Sequence, residues 1–161
     1  MRVLIREYDQ ADESQVIDLS LRAWAPVHDS MERVMGQEIF HRLHDGGWRR
    51  LQEEGVRATL TDEQAKVWVA EVGGRVVGFV SAVLGRQSQL GVVSMLAVDP
   101  DHQNRGIGTA LTETATEWLR ESGMRVAMVE TGGDPGHAAG RRAYEKANYT
   151  LMPIARYFKA L

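Results

Sequence analysis

Three observations in the sequence predict an α/β fold in which helices cover a mixed sheet. Segments of β-type alternation and of helical spacing follow one another in the order β, α, α, β, β, β, α, β, α, β. Two of the β-type segments meet at Gly73-Gly74, as the arms of a hairpin do. A glycine-bearing turn lies between another β-type run and an amphipathic helix.

Val3 and Ile5 alternate with polar neighbours and predict a short opening strand. Asp12 then precedes Val16, Leu19 and Ala23 at helical spacing. From Asp29 to about Thr61 the pattern reads helix, break, helix. Met31, Val34, Met35, Ile39 and Leu43 mark one face, and Gly46-Gly47 interrupts before Trp48, Leu51 and Val56. Val67, Val69 and Val72, then Val76, Val77, Phe79 and Val80, form the hairpin arms. The next strand, Gly91 to Val98, runs into Asp99-Pro100. Ile107, Leu111, Ala115, Trp118 and Leu119 share a helical face, and Gly123 stands where a helix C-terminal glycine belongs. Val126, Met128 and Glu130 alternate with Ala127 and Val129 as a fifth strand. A last helix is expected from about Gly136 to Ala147, and Leu151 to Phe158 are expected to close the sheet.

With 161 residues and 43% hydrophobic content the chain can bury one core, so residues 1–161 are read as a single domain. A formal net charge of -3 supplies no sequence-wide basic field, which argues against nucleic acid as a partner. The absence of cysteine excludes a disulfide framework, a thiolate metal site and a cysteinyl acyl-enzyme. The N-terminus lacks the apolar core of a signal peptide, and no window approaches the roughly 20 apolar residues that span a bilayer. A cytoplasmic protein without membrane contact is the expectation.

The segment with the most chemistry is Gln103-Asn104-Arg105-Gly106-Ile107-Gly108-Thr109, between the strand ending at Val98 and the helix that buries Ile107 and Leu111. A helix start presents unpaired N–H groups and the positive end of the helix dipole, so it attracts an anion. Glycines at 106 and 108 remove side chains that would block the approach. A dinucleotide fingerprint would need glycine at 111, where Leu111 stands, and no GK[ST] follows to make a P-loop.

The run Ala97-Val98-Asp99-Pro100-Asp101-His102-Gln103-Asn104-Arg105-Gly106-Ile107-Gly108-Thr109-Ala110-Leu111 resembles the core motif of the GNAT acetyltransferases, [RQ]-x-x-G-x-[GA] after a strand. Arg141-Arg142-Ala143-Tyr144-Glu145-Lys146-Ala147-Asn148-Tyr149 resembles the second signature of that family, which usually ends Tyr-Glu-Lys-Leu-Gly-Phe. The resemblance extends from about Lys66 to Phe158. It implies the GNAT fold, a mixed and mostly antiparallel sheet of about six to seven strands flanked by about four to five helices. It also implies acetyl-CoA as co-substrate and an amine as acceptor. By the same resemblance, backbone groups of Leu96, Ala97 and Val98 hold the pantetheine arm and supply an N–H to the thioester oxygen, while residues 103 to 109 wrap the pyrophosphate. Asn148 replaces the family's usual glycine, and asparagine tolerates the left-handed conformation required after a helix. His137 occupies the place where many members carry an asparagine that contacts CoA.

Acyl transfer to an amine needs a group that protonates the leaving thiolate and one that takes a proton from the amine. Tyr144 is the acid candidate, since a phenol can donate to a thiolate. Gly136, Gly140 and Tyr144 fall four apart, placing the tyrosine above a groove without side chains. Glu130 is the candidate base: ribosomal-protein N-terminal acetyltransferases of the family carry a glutamate at this strand end, with a loop two residues shorter than here. Its alternation with Val126 and Met128 suggests partial desolvation, and hence a raised pKa. Glu71, Asp134 and His137 are weaker base candidates, and water can serve any of them as carrier.

His41 and His44 lack a third ligand and read as a solvated helix face, so no metal is expected. Trp24, Trp48, Trp68 and Trp118 read mostly as core, with Trp24 or Trp48 available to line an acceptor pocket. Arg141, Arg142 and Lys146 read as a wet face, one of them available to the 3′-phosphate of CoA. The acceptor stays open among small-molecule amines and protein or peptide amines, and a homodimer stays open too. The alternatives to an enzyme are a catalytically silent acyl-CoA-binding sensor or regulatory module, and a subunit whose acceptor site a partner completes.

Overall fold

The computed structural model describes residues 1–161. Strand β1 (Leu4–Glu7) leads through a short 3-10 turn into α1 (Glu13–Met35), α2 (Gln37–Leu43) and α3 (Trp48–Thr61). Strands β2 (Ala65–Val72), β3 (Arg75–Val83) and β4 (Leu90–Val98) follow, then α4 (Ile107–Glu121), β5 (Val126–Val129) and α5 (Ala138–Lys146). The strands lie in chain order, β1 to β4 antiparallel and β5 parallel to β4, so the sheet is mixed and mostly antiparallel as expected.

Strands β2 and β3 join at Gly73 and Gly74, with φ of 56° and 80°. Positive φ at both central residues is what a tight two-residue hairpin needs, and glycine adopts it without steric cost. Alternation then sends side chains to two cores. Trp68, Ala70, Val77, Val80 and Val93 meet Ile107, Leu111, Ala115 and Leu119 of α4 on one face. Val67, Val69, Val76, Phe79 and Ala97 meet Val16, Ile17 and Leu19 of α1 and Val56 of α3 on the other. Phe79, Leu111 and Leu119 are almost wholly buried, and each such side chain contributes about 1.5–3 kcal/mol of burial energy.

The sequence separates a helix around Val16, Leu19 and Ala23 from one beginning near Asp29, whereas the structure joins them through Pro26. An internal proline forfeits a helical hydrogen bond, but the turns on either side are anchored by buried Val16, Leu19, His28 and Ser30. The chain breaks instead at Gly36, whose φ is 84°.

The larger difference is in the sheet, which has five strands rather than six to seven. Residues after Tyr149 form neither helix nor strand, and Leu151, Met152, Ile154 and Tyr157 are exposed. Pro153 cannot donate to a ladder, and β5 offers an edge of only four residues.

Two details of β4 open the sheet. Val93 faces Ala82 and Met95 faces Ser81, so Ser94 is an extra residue in β4, a bulge that bends the strand. The hydroxyls of Ser94 and the buried Ser81 are hydrogen-bonded at 2.8 Å. Pairing with β5 ends at Val93–Val129, one residue before the bulge. From Ser94 to Val98, β4 therefore has β3 on one side and no strand on the other.

Candidate active site

The parting of β4 and β5 leaves a cleft of about 380 Å³. Its walls are the free edge of β4, the turn into α4, the end of β5, the face of α5 that carries Gly140, Ala143 and Tyr144, and Trp24 and Val27 of α1.

The turn into α4 is held from below. Asp99 is buried, and its carboxylate accepts from the Arg22 guanidinium at 2.8 Å and from the Asp101 N–H at 2.9 Å. The Arg22 hydrogen bond, opposed by burial, keeps the Asp99 carboxyl below its ordinary range. Asn104 has φ 60° and Gly106 φ 80°, both in the left-handed region. This geometry lets the chain reverse tightly before the helix starts. Within α4, Ala110 donates to the Gly106 carbonyl at 3.0 Å, and no side chain caps the helix. The amides of Ile107, Gly108 and Thr109 thus have no intrahelical acceptor, and they stand at the positive end of a 15-residue helix. A Cβ on Gly108 would lie 3.7 Å from both Ala143 and Val98, in ordinary contact with α5 and the end of β4.

The structure brings together most of the residues singled out from the sequence. Leu96, Ala97, Val98, Gln103, Asn104, Gly106, Ile107, Gly108, Thr109, Glu130, His137 and Tyr144 all line the cleft. Arg105 does not: its exposed guanidinium reaches the Met1 sulfur at 3.4 Å. The Val98 carbonyl is already engaged, accepting from the Gln103 side chain at 3.1 Å.

Tyr144 is half-buried against Tyr149, ring centroids 6.2 Å apart. Burial, and secondarily the Tyr149 hydroxyl, pushes the Tyr144 phenol up to about 12, so it is protonated at neutral pH. Tyr149 is in turn fixed by a 2.6 Å hydrogen bond between its hydroxyl and that of Thr116. Asn148 has φ 65°, the left-handed conformation expected after α5.

Glu130 follows directly on β5. It shares a face with Val126 and Met128 as the alternation requires, but that face is the open one: Val126 is 56% exposed, Met128 36%, and Glu130 is exposed as well. Partial desolvation is thus not found, because the strand expected from Leu151 to Phe158 does not form to cover this edge. Glu71 is bound to Arg6 at 2.9 Å in the β1–β2 region, away from the cleft. Asp134 and His137 are bonded to each other, and Ser30 of α1 donates to Asp134 at 2.6 Å.

Arg141, expected on a wet face, instead donates to the carbonyls of Gly132 at 2.6 Å and Asp134 at 2.8 Å, while Arg142 and Lys146 line the cleft. Trp24 lines it too. Trp48 stacks on His28 with ring centroids 4.3 Å apart, and the Arg49 guanidinium lies over its ring at 4.4 Å. His44 bonds to the Phe40 carbonyl at 2.7 Å, and no three His, Asp or Glu side chains are placed to hold a metal ion. Ser30 and Arg22 had no signal in the sequence, since each acquires its role only by crossing to a loop about 80–100 positions away.

The bulged β4, parted from β5 beside the uncapped start of α4, forms a cleft suited to an extended ligand with an anionic group. The acetyltransferase (GNAT) family model matches residues 29–149, and the chain belongs to that family. The match thus begins earlier than the resemblance seen in the sequence and stops short of Phe158. Mycothiol acetyltransferase from Mycobacterium avium is 27% identical over 158 residues, covering 83% of this chain and 47% of that protein. The Streptomyces coelicolor protein of the same name is 30% identical over 133 residues, covering 81% and 42%. The chain spans about half the length of these relatives. PaiA N-acetyltransferase from Thermoplasma acidophilum, solved with coenzyme A, has the same fold at a TM-score of 0.67 with 14% identity, covering 91% of this chain and 88% of that one. No helix is long and apolar enough to cross a membrane.

Proposed function

We propose that this chain transfers an acetyl group from acetyl-CoA to a primary amine, the two meeting in one ternary complex. The observation that carries the reading is the uncapped start of α4 beside the free edge of β4. Three unpaired amides and a helix dipole suit a pyrophosphate, and unpaired strand groups suit the amides of a pantetheine arm. Backbone groups of Leu96, Ala97 and Val98 hold the arm, and one strand N–H stabilises the oxyanion that forms at the thioester carbonyl. Residues 103 to 109 surround the pyrophosphate. Tyr144 supplies a proton to the departing sulfur. Glu130, at the open end of the cleft, takes up the proton lost by the amine, through water or another carrier, and delivers it to solvent.

The acceptor is a small-molecule amine or the amine of a protein or peptide. The names of the relatives favour the former, and Trp24 offers the cleft an apolar wall. A homodimer is supported by the exposed apolar side chains of β5 and of residues 151–158, which a second copy would cover.

Calorimetric titration with CoA, followed by a panel of amines scored for thiol release from acetyl-CoA, tests the assignment. CoA binding with turnover on one amine class is expected. Binding without turnover on any amine would make the chain an acyl-CoA sensor, and absence of binding would refute the site.

A further inference from the structure

Asp134 stands in the turn between β5 and α5, and its two carboxylate oxygens are committed to different partners. Oδ2 accepts from the Ser30 hydroxyl at 2.6 Å and from the Gly136 N–H at 3.2 Å; Oδ1 is paired with His137 Nδ1. Ser30 Oγ accepts in turn from the Gly136 N–H at 2.9 Å. A side chain at 136 would collide with Ser30, so glycine there is what lets the turn close on α1. Arg141 ties the same turn to α5 through the Gly132 and Asp134 carbonyls. The turn is therefore fixed from both helices, and the imidazole with it.

A carboxylate only accepts, so Nδ1 of the neutral ring carries the hydrogen and Nε2 carries the lone pair. No group of the chain bonds to Nε2, and His137 lines the cleft together with Tyr144 and Glu130. A base oriented by a carboxylate that is itself oriented by a hydroxyl is an arrangement suited to proton abstraction. It is not needed merely to touch a cofactor.

We propose that His137, held in its Nδ1–H tautomer by Asp134 and Ser30, is the first acceptor of the proton lost by the attacking amine. The proposal rests on the acetyltransferase reading above. The amine nitrogen bonds to the thioester carbonyl carbon, and its proton passes to His137 Nε2. The C–S bond then breaks, and the thiolate takes the Tyr144 proton to leave as CoA thiol. The imidazolium, paired with Asp134, passes its proton to water or Glu130 at the cleft mouth, and the Tyr144 phenolate regains one from water. Burial alone would raise the Asp134 carboxyl, but the hydrogen bonds from Ser30 and His137 and the His137 charge outweigh it and hold the group below its ordinary range. Asp134 thus stays anionic opposite the imidazolium. The other titratable groups lining the cleft with His137 are Tyr144, Arg142 and Lys146 of α5, His102 and Glu130, and His28 of α1 interacts with the His137 charge.

Bromoacetyl-CoA tests this without a known acceptor, because it places an alkylating carbon where the acetyl group sits. Mass spectrometry of the wild-type protein should find one adduct, on His137, formed as Nε2 displaces bromide and suppressed by excess acetyl-CoA. Asp134→Asn should slow labelling at least tenfold, and Ser30→Ala, which leaves Gly136 still bonded to Asp134, should slow it less. CoA binding by calorimetry with the label on Glu130, or with no label, would overturn the role of His137 and leave the acetyltransferase reading standing. Failure to bind CoA at all would overturn that reading itself. Labelling of Asp134→Asn at the wild-type rate would refute the positioning by Asp134.

Discussion

Arg22 on α1 donates to the buried carboxylate of Asp99 at 2.8 Å, fastening the first helix to the residue where β4 turns toward α4. Arg22→Ala would leave that carboxylate with the Asp101 N–H and, at 3.8 Å, the His102 imidazole. Because Arg22 is itself 40% exposed, the cost is discounted to roughly 1–3 kcal/mol. The Asp99 pKa is depressed in the folded state, so the pair stabilises fully above the unfolded value of about 3.9, and its contribution is lost as pH falls through the folded value. Denaturant melts from pH 7 down to pH 3 should show the variant less stable at neutral pH, with the difference shrinking in acid.

Gly108 separates fit from obstruction. A Cβ there makes ordinary contacts at 3.7 Å with Ala143 and Val98, so Gly108→Ala should fold normally. The branched methyls of Gly108→Val would enter the space beside the α4 amides. CoA affinity by calorimetry should fall at least tenfold, about 1.4 kcal/mol. Equal affinity in a folded valine variant would remove the pyrophosphate from this turn.

The sequence was most informative where one chain segment determines its own geometry. Gly73-Gly74, Gly106, Gly123 and Asn148 take the left-handed conformations that their residue types suggest, and the apolar periodicities of β2, β3, β4 and α4 correspond to their two buried faces. Cleft-lining residues were legible where they belong to a contiguous turn or helix. What crosses the fold was not. Ser30 reaches Asp134, Arg22 reaches Asp99 and Arg141 turns onto two carbonyls, and no local pattern encodes those meetings. The terminal strand was misread because Leu151 to Phe158 is apolar enough for a strand, but Pro153 and the short β5 edge leave it unpaired.

The exposed apolar groups at that edge predict self-association. Val126 and Met128 on β5 are 56% and 36% exposed, and Leu151, Met152, Ile154 and Tyr157 of the terminal segment are all more than 60% exposed. Light scattering should find a dimer at micromolar concentration, and removing residues 151–161 should shift it to monomer while the far-ultraviolet spectrum keeps its helical content. A monomer at every concentration would refute this.

Glu130→Gln keeps the shape and removes the basicity. If Glu130 exports the proton, turnover should drop most at low pH and converge on the wild-type rate at high pH, where the amine loses its proton unaided. Rate profiles from pH 6 to 10 with acetyl-CoA saturating, using whichever amine the panel selects, make the comparison. Profiles that run parallel would leave Glu130 a surface carboxylate.

Tyr144 presents a phenol raised to about 12 in the cleft, and the proposed reaction has it serve a sulfur that leaves as a thiolate. An ordinary thiol has a pKa of about 8.5, so full transfer to a solvated thiolate would be uphill. Desolvation of that sulfur in the cleft would raise its basicity and bring the two groups closer. On the proposed mechanism the tyrosine would therefore act first as a hydrogen-bond donor and yield its proton late. Tyr144→Phe should cost roughly 10²–10⁴ in turnover, with the loss in kcat larger than any change in the KM for acetyl-CoA. Because the folded pKa is raised, the group favours the native state below the unfolded value of about 10, and that stabilisation is lost as pH climbs toward 12. The phenylalanine variant should accordingly lose part of the protein's alkaline sensitivity between those limits while its neutral-pH stability changes little. Single-turnover rates set the first expectation and melts at pH 8 and pH 11 the second; turnover within threefold of wild type, with chemistry rate-limiting, would reduce Tyr144 to a packing residue.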